Sequence, residues 1–454
     1  MGIFNCRLGT SFCIHITYNN LNIALLYTIT SYANKVYEDE FRFFSETDFY
    51  EIIIYIKNNN LNTSCFNIYN VIISQLNFKF KMTQRFSTGT RINEIDSLRA
   101  FVLLGIFIVH IISYFSILPD KNAVFPILSF TDKIFAYFNT IFLIDKLSTI
   151  FSILFGISFY IILSKPHNNR LKFTYRCFLL IIIGLFNKIF YAYDILMWYG
   201  IWGIVLCYMT KYINEKHIPL LIIALLLLSS ILSYFKLGSY IWGDTRFNRY
   251  DPSTPFINLL FSVDNVIIDH LRGVFNQGIF FTLANFLIGY YIALKGYLFK
   301  LNTTKSYKIM FILWSVYGLF LIYIHVLNKN TPHYIPLIFI NQIGALAYMS
   351  IYFILNLKCI FVNKFCQLFE PYGRMGLTNY SLQGIMGCFL FYDFGLGMNI
   401  SITKKIVLSL LIFLIQTYLS KIWLKSFKQG PFEFIWRYFT ELPYKSKKEK
   451  LALD

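Results

Sequence analysis

One apolar stretch of the chain carries three ionisable residues at helical spacing. Asp96 and Arg99 precede a run of apolar residues, and His110 follows Arg99 by eleven positions. Eleven residues of α-helix make about three turns and rise ~16 Å, so Arg99 and His110 share one face of a helix. Asp96 lies close to the same face at the start of the helix, where the helix dipole favours a carboxylate.

His110 is the member of this group best suited to chemistry. An imidazole titrates near neutral pH, which suits a general base in a hydrated cavity within a membrane. A histidine inside a span can also be a hydrogen-bonding group between packed helices. The residues alone leave both interpretations open.

Asp194 is a second candidate, placed between two apolar segments. Tyr193, Trp198 and Tyr199 surround it in the sequence, and such aromatic residues are typical of a membrane interface. A carboxylate at this position could cap the helix that follows. Its candidate roles are therefore helix cap and binding residue.

A further apolar segment opens with many polar side chains. Arg374 and Thr378 are one helical turn apart, and so are Asn379 and Gln383. So much polarity on one span requires a side that faces protein or water rather than lipid. Helix packing and a substrate channel explain it equally well, which makes Arg374, Asn379 and Gln383 candidate binding residues.

Near the end of the chain, Gly430 and Pro431 precede a short segment with Glu433 and Arg437 four residues apart. This spacing predicts an ion pair between the two side chains on a short interfacial helix. Arg437 could instead contact an anionic lipid headgroup.

Composition indicates the class of protein. Of 454 residues, 56% are hydrophobic and only 14% charged, with mean hydropathy +0.54, whereas soluble domains carry roughly 25% charged residues. We therefore predict an all-α, polytopic transmembrane bundle of about ten spans. The predicted spans are 98–116, 146–164, 174–192, 195–212, 217–235, 277–295, 308–326, 334–356, 374–392 and 405–424.

The net charge of +18 is explained by orientation in the membrane rather than by nucleic-acid binding. No basic stripe with interleaved aromatic residues appears, so we expect no nucleic-acid partner. Instead, the basic residues concentrate in alternate loops, which predicts a multi-pass protein of the inner (plasma) membrane with both ends of the core in the cytoplasm. The eight cysteines include no C-x-x-C pair, and we expect no metal site.

The chain divides into three predicted regions. Residues 1–81 are rich in Asn, Tyr and Ile, and polar residues interrupt every apolar stretch. We expect a disordered tail or a misassigned start, and favour Met82 as the true first residue. The transmembrane domain follows at 82–440, and 441–454 forms a basic cytoplasmic tail.

Five segments, in order, resemble the YeiB family of bacterial membrane proteins, which has a domain of unknown function. The resemblance covers roughly Arg91 to Phe439. It rests on Asp96-Ser97-Leu98-Arg99, Phe151-Ser152-Ile153-Leu154-Phe155-Gly156, Asp194-Ile195-Leu196 with Tyr199-Gly200, Gly373-Arg374-Met375-Gly376-Leu377-Thr378-Asn379-Tyr380, and Gly430-Pro431-Phe432-Glu433 with Trp436-Arg437.

That family is distantly similar to membrane acyltransferases of the acyltransferase-3 and heparan glucosaminide acetyltransferase types. The acyltransferase-3 pattern has Asp-x-Leu-Arg with a histidine fourteen positions after the Asp, the spacing of Asp96 and His110 here. YeiB-like proteins usually carry Asn at this position, so His110 is a departure from the family pattern. The resemblance implies that His110 is the general base of acyl transfer and that Arg99 is its partner near the cytoplasmic end.

On this hypothesis an acyl donor such as acetyl-CoA is a substrate rather than a bound cofactor. Arg99 and Arg374 would hold its phosphates by charge-assisted hydrogen bonds. The acceptor would be a hydroxyl or amine of a cell-envelope glycan or lipid. Two alternatives stay open, which are transport of a small solute and a non-enzymatic membrane partner protein.

Overall fold

A computed structural model describes residues 4–7, 13–16, 92–113, 129–164, 170–190, 194–235, 279–297, 304–322 and 334–451. The chain forms two compact units, residues 1–85 and 86–454. In the first unit, strands β1 (Phe4–Arg7) and β2 (Cys13–Ile16) pair antiparallel, with Phe4 opposite Ile16. The rest of the predicted tail and Met82 lie outside the described residues, so the predicted domain boundaries stay predictions.

The described part of the second unit is helical, which confirms the predicted all-α class. Its α-helices are α1 (Asn93–Ser113), α2 (Phe130–Phe138), α3 (Lys146–Leu163), α4 (Arg170–Phe190), α5 (Leu196–Tyr212), α6 (Ile218–Phe235), α7 (Ile279–Leu294), α8 (Thr304–Ile322), α9 (Tyr334–Lys358), α10 (Ile360–Gln367), α11 (Glu370–Arg374), α12 (Gly376–Phe391), α13 (Ile402–Ser426) and α14 (Pro431–Leu451). A π-helical turn (Asn139–Leu143) precedes α3, and a 3-10 turn (Glu215–His217) precedes α6.

Each of the ten predicted spans overlaps one of these helices. Four of the spans have ends outside the described residues, and the predicted span 374–392 begins at the last residue of α11. Among the described residues, six helical segments are long and apolar enough to cross a membrane, namely Asn93–Ser113, Phe130–Leu163, Arg170–Phe190, Glu215–Leu232, Phe339–Lys358 and Ile402–Ser426. Two more segments, Phe280–Leu294 and Ser306–Ile322, are apolar but shorter. The helices therefore have the composition of a membrane bundle, and the count of about ten crossings stays a prediction.

Glycines let α3 and α7 pack backbone against backbone. A Cβ atom added at Gly156 would lie 2.0 Å from the carbonyl oxygen of Phe286, and one at Gly289 would lie 1.9 Å from that of Ile153. Phe155 stacks on Phe286 with ring centroids 4.5 Å apart. Small residues at such contacts are the usual means of close helix packing in lipid.

The first helix, α1, lies at the centre of the second unit. It packs against α3, α11, α12 and α13, and most of its side chains are buried. A Cβ atom at Gly373 would lie 1.8 Å from the carbonyl oxygen of Asp96, so α11 lies directly on the start of α1. This packing fixes α1 beside α12 and brings His110, near the end of α1, into the interior.

Candidate functional site

His110 lines a small cavity inside the helical bundle. Its volume for a water-sized sphere is about 10 Å³, which is room for about one water molecule. Residues from α1, α4, the start of α5 and α12 line it, namely His110, Asn187, Asp194, Tyr380, Ser381 and Gly384. His110 is 8% exposed, so its side chain is buried in the bundle, where its neighbours in the cavity wall are mostly polar.

Asp194 is held in the wall of this cavity by backbone and side-chain donors. It is 1% exposed. One carboxylate oxygen accepts from the backbone N–H of Leu196 at 2.9 Å, at the start of α5, and the other accepts from the side-chain amide of Asn187 at 3.2 Å. The buried Lys188 interacts electrostatically with it. Asp194 therefore caps the start of α5 and also faces the cavity.

Tyr380 links Asp194 to His110. Its hydroxyl accepts from the backbone N–H of Ile195 at 3.4 Å. The same hydroxyl interacts electrostatically with the carboxylate of Asp194. Its ring lies edge-on to the imidazole of His110, with ring centroids 6.4 Å apart. An imidazole, a phenol and a carboxylate are thus adjacent in one polar cavity, an arrangement that can hold and move a proton.

Asn187 completes the wall from α4. Its amide nitrogen also donates to Ser381 at 3.0 Å. Its amide oxygen is buried and has no hydrogen-bond partner among the described residues. A buried acceptor of this kind is normally satisfied, so the cavity offers a position for a water molecule or a hydroxyl or amine group of a ligand.

Asp96 and Arg99 lie away from the cavity, at the other end of α1. The guanidinium of Arg99 pairs with Asp96 at 2.6 Å and donates to Ser158 on α3, also at 2.6 Å. Arg374 lies next to Gly373, whose backbone packs on Asp96, and it pairs with Glu370 at 3.9 Å. These three sequence-predicted residues are therefore close in the fold but separate from His110.

Asn379 and Gln383 face away from the cavity, toward α13. Asn379 donates to the carbonyl oxygen of Tyr372 and to Ser420, both at 3.0 Å. Gln383 donates to the hydroxyl of Tyr372 at 2.6 Å, and that hydroxyl donates to Gln416 at 3.1 Å. We call these five residues the amide zipper. Its bonds join α11, α12 and α13, which is the packing role that the sequence left open.

Glu433 caps α12, so the predicted pairing with Arg437 is wrong. Its carboxylate accepts from the backbone N–H groups of Leu377 (2.7 Å) and Thr378 (3.2 Å) and from the Thr378 hydroxyl (2.5 Å). The positive end of the α12 dipole and three donors outcompete an exposed arginine one turn away. Burial raises the pKa of Glu433, although hydrogen bonds from Thr378 and Leu377 act in the opposite direction.

Three residues of the cavity wall, Asn187, Tyr380 and Ser381, are not among the site residues predicted from the sequence. Asn187 is a polar residue within the third predicted span, and that position is itself a signal for function. Tyr380 and Ser381 are close in sequence to the predicted residues Asn379 and Gln383. The rotation of α12 about its axis decides which of these side chains face the cavity.

The fold and the site together define a helical bundle of membrane-protein composition with an interior cavity that is lined by ionisable residues. Residues 293–443 match the family model "Protein of unknown function (DUF418)". A 68-residue segment, 15% of the chain, is 41% identical to 18% of the uncharacterised protein YeiB of Escherichia coli. The predicted resemblance to the YeiB family is confirmed as sequence similarity.

Two Bacillus proteins are similar over most of their length. The chain is 28% identical over 387 residues to an uncharacterised 39.9 kDa protein of Bacillus acidopullulyticus, with 79% of this chain and 97% of the relative covered. It is 25% identical over 404 residues to the uncharacterised protein YxaH of Bacillus subtilis, with 80% and 98% covered. These names describe no activity, so the function has to be inferred from the site.

The described residues hold no group of three or more His, Cys, Asp or Glu side chains that could bind a metal ion. The polar groups that line the cavity are one imidazole, one carboxylate, one phenol, one amide and one hydroxyl. This set suits hydrogen bonding to a hydroxyl or amine more than coordination of a transition metal.

Proposed function

We propose that this protein transfers an acyl group from a cytoplasmic donor such as acetyl-CoA to an extracytoplasmic hydroxyl or amine. The acceptor would belong to a cell-envelope glycan or lipid. The observation that carries the proposal is the position of His110, which shares an interior polar cavity with Asp194 and Tyr380. The resemblance to membrane acyltransferases gives that histidine the role of general base.

In this mechanism His110 takes the proton of the acceptor group as the acceptor oxygen or nitrogen attacks the acyl carbon. The bond from the acyl carbon to sulfur breaks, and the proton passes to the departing thiolate. Asp194 and Tyr380 would hold the acceptor and stabilise the charged imidazole. Since the cavity has room for about one water, the surrounding helices must separate for substrates to enter.

The residues at the start of α1 would serve the donor. Arg99 and Arg374 lie on elements that pack against each other through Gly373 and Asp96. Arg99 and His110 are separated by eleven residues, or ~16 Å along the helix, and a long donor could reach across that distance. The proposal includes a plasma-membrane location with both core ends in the cytoplasm, which places these arginines on the side of acetyl-CoA.

The test uses purified protein in lipid nanodiscs with labelled acetyl-CoA and a panel of cell-envelope glycans and lipids. We expect label transfer by the wild type and a loss of at least ~100-fold for His110→Ala. His217→Ala is the matched control, because His217 is exposed and lies at the start of α6. Absence of transfer to any acceptor, or full activity of His110→Ala with the protein folded, would refute the proposal.

The polar cavity in the interior of the bundle also favours a second candidate, transport of a small solute. Proteoliposomes distinguish the two functions. Uptake of a solute that is recovered chemically unchanged, and that His110→Ala abolishes, would support transport over acyl transfer.

A further inference from the structure

The last helix, α14, has its apolar side turned outward. The exposed fractions on this side are 55% for Phe434, 47% for Ile435, 46% for Tyr438, 45% for Phe439 and 39% for Leu442. These residues recur at three- and four-residue spacing, so they form one stripe along the helix. In a protein surrounded by water such a stripe would be costly, and large exposed apolar patches mark contact with another phase or partner.

The opposite side of α14 holds the helix on the bundle. The indole of Trp436 donates to the carbonyl oxygen of Arg176 at 2.8 Å, and Glu441 pairs with Lys172 at 2.9 Å. Glu433 caps α12, as described above, and Thr440 is fully buried. The outward stripe is therefore fixed in place by polar contacts to α4 and α12.

Basic residues are exposed on α14 and at the end of α13, the helix that precedes it. Lys421, Lys425 and Lys428 are exposed in and just after the last two turns of α13, and Arg437 is exposed on α14. Helix α13 is itself apolar enough to cross a membrane, and only residues 427–430 separate it from α14. The connection is short, so α14 begins where the span leaves the hydrocarbon.

We propose that the apolar stripe and the four basic residues together bind anionic phospholipid at the membrane interface. We call these nine residues the α14 surface. The apolar stripe enters the boundary between acyl chains and headgroups, and the four cations contact the lipid phosphates. The surface consists of Lys421, Lys425, Lys428, Phe434, Ile435, Arg437, Tyr438, Phe439 and Leu442. Its chemistry selects anionic over zwitterionic lipid, and it does not depend on the proposed acyl transfer.

The side of α14 opposite this surface contacts two helices that line the candidate site. The two helices that α14 holds, α4 and α12, supply Asn187, Tyr380 and Ser381 to the cavity wall. Glu433 caps α12 at Thr378, two residues before Tyr380. Lipid bound to the outer side of α14 would therefore stabilise the helices that form the cavity.

The experiment is titration of full-length protein in detergent with phosphatidylglycerol or phosphatidylcholine of equal chain length, followed by native mass spectrometry. Each basic residue near an anionic lipid surface strengthens binding by roughly fivefold, and we expect at least ~10-fold tighter binding of phosphatidylglycerol. The quadruple variant Lys421→Gln, Lys425→Gln, Lys428→Gln and Arg437→Gln should lose most of this preference. All four side chains are exposed, so the fold should be retained, and a thermal melt checks that.

The matched control removes four other exposed lysines, with Lys211→Gln, Lys216→Gln, Lys358→Gln and Lys364→Gln. It should keep the preference for phosphatidylglycerol. Equal affinity for the two lipids, or equal loss in both quadruple variants, would overturn the proposal. A dimer that only the α14 surface variant dissociates, with no lipid preference in the wild type, would show instead that a second copy covers the stripe.

Discussion

Two faces of α12 are almost equally polar but have different surroundings. One face presents Tyr380, Ser381 and Gly384 to the cavity with His110 and Asp194. The other presents Asn379 and Gln383 to the amide zipper. The described zipper members are amides, hydroxyls and backbone groups that bond directly between helices, whereas the cavity joins ionisable groups around an open volume. Polarity within a span therefore identifies a functional site only when ionisable groups and space accompany it.

The largest effect should come from Asp194→Asn. The substitution removes the negative charge beside Tyr380 and replaces the oxygen that accepts from Asn187 with a donor or forces the amide to reorient. We expect acyl transfer to fall by roughly 100-fold, measured as kcat/KM with labelled acetyl-CoA.

Asp132→Asn is the control for that experiment. Asp132 is also buried, and it caps α13 through the backbone N–H of Thr403 at 2.8 Å, far from the cavity wall. Its variant should keep the wild-type rate per folded molecule. A similar fall in both variants would show that loss of a buried cap, rather than the cavity charge, lowers activity.

Substitution of two buried tyrosines, Tyr380 and Tyr372, compares the two faces of α12 by removing a single hydroxyl from each. Tyr380→Phe removes the hydroxyl between Ile195 and Asp194, and Tyr372→Phe removes the hydroxyl between Gln383 and Gln416. We expect about a tenfold loss of activity for the first and about 1 kcal/mol loss of stability, with unchanged activity, for the second. The comparison fails if Tyr372→Phe lowers the rate per folded molecule as much as Tyr380→Phe does.

The zipper itself should contribute stability alone. Asn379→Leu removes the bonds to Tyr372 and Ser420, and interhelical hydrogen bonds in lipid are worth about 1 kcal/mol each or less. We expect a loss of about 1–2 kcal/mol in the free energy of unfolding, measured in bicelles with denaturant. Asn187→Leu, its counterpart on the cavity wall, should instead lose activity.

The sequence predicts those features of the fold and the site that depend on residues close together in the chain. Long apolar runs predicted the helices, because length and hydropathy are properties of each segment. The membership of Asp194 and His110 in one cavity depends on packing between α1, α5 and α12, which their sequence positions do not encode. Asn379 and Tyr380 are adjacent in sequence and point about 100° apart around α12, so only the rotation of α12 decides which one reaches the zipper and which one reaches the cavity. Glu433 likewise bonds to residues 55 and 56 positions away, beyond the reach of an i,i+4 rule.

The smallest expected effects concern two carboxylates of α14, Glu433 and Glu441. We expect their contributions to the free energy of unfolding to change in opposite directions with pH. Burial raises the pKa of Glu433, so its folded state binds a proton more tightly than the unfolded chain does. Its unfavourable contribution to stability should therefore decrease as pH falls from neutral through the raised pKa. Partial burial acts to raise the pKa of Glu441, but the hydrogen bond from Lys172 and the charges of Lys172, Arg176 and Arg437 outweigh it, and the pKa of Glu441 is lowered.

Glu441 should accordingly show the opposite trend, with full stabilisation above the unfolded value of about 4.3 and progressive loss as pH falls through its lowered pKa. The measurement is thermal unfolding of the wild type, Glu433→Gln and Glu441→Gln between pH 7 and pH 4. The wild type should gain stability relative to Glu433→Gln as the solution is acidified. Relative to Glu441→Gln it should lose less than about 1 kcal/mol, and only at the acid end, because that ion pair is partly exposed. If the stability of each variant relative to the wild type changed with pH in the same way, the opposite pKa shifts assigned to Glu433 and Glu441 would be wrong.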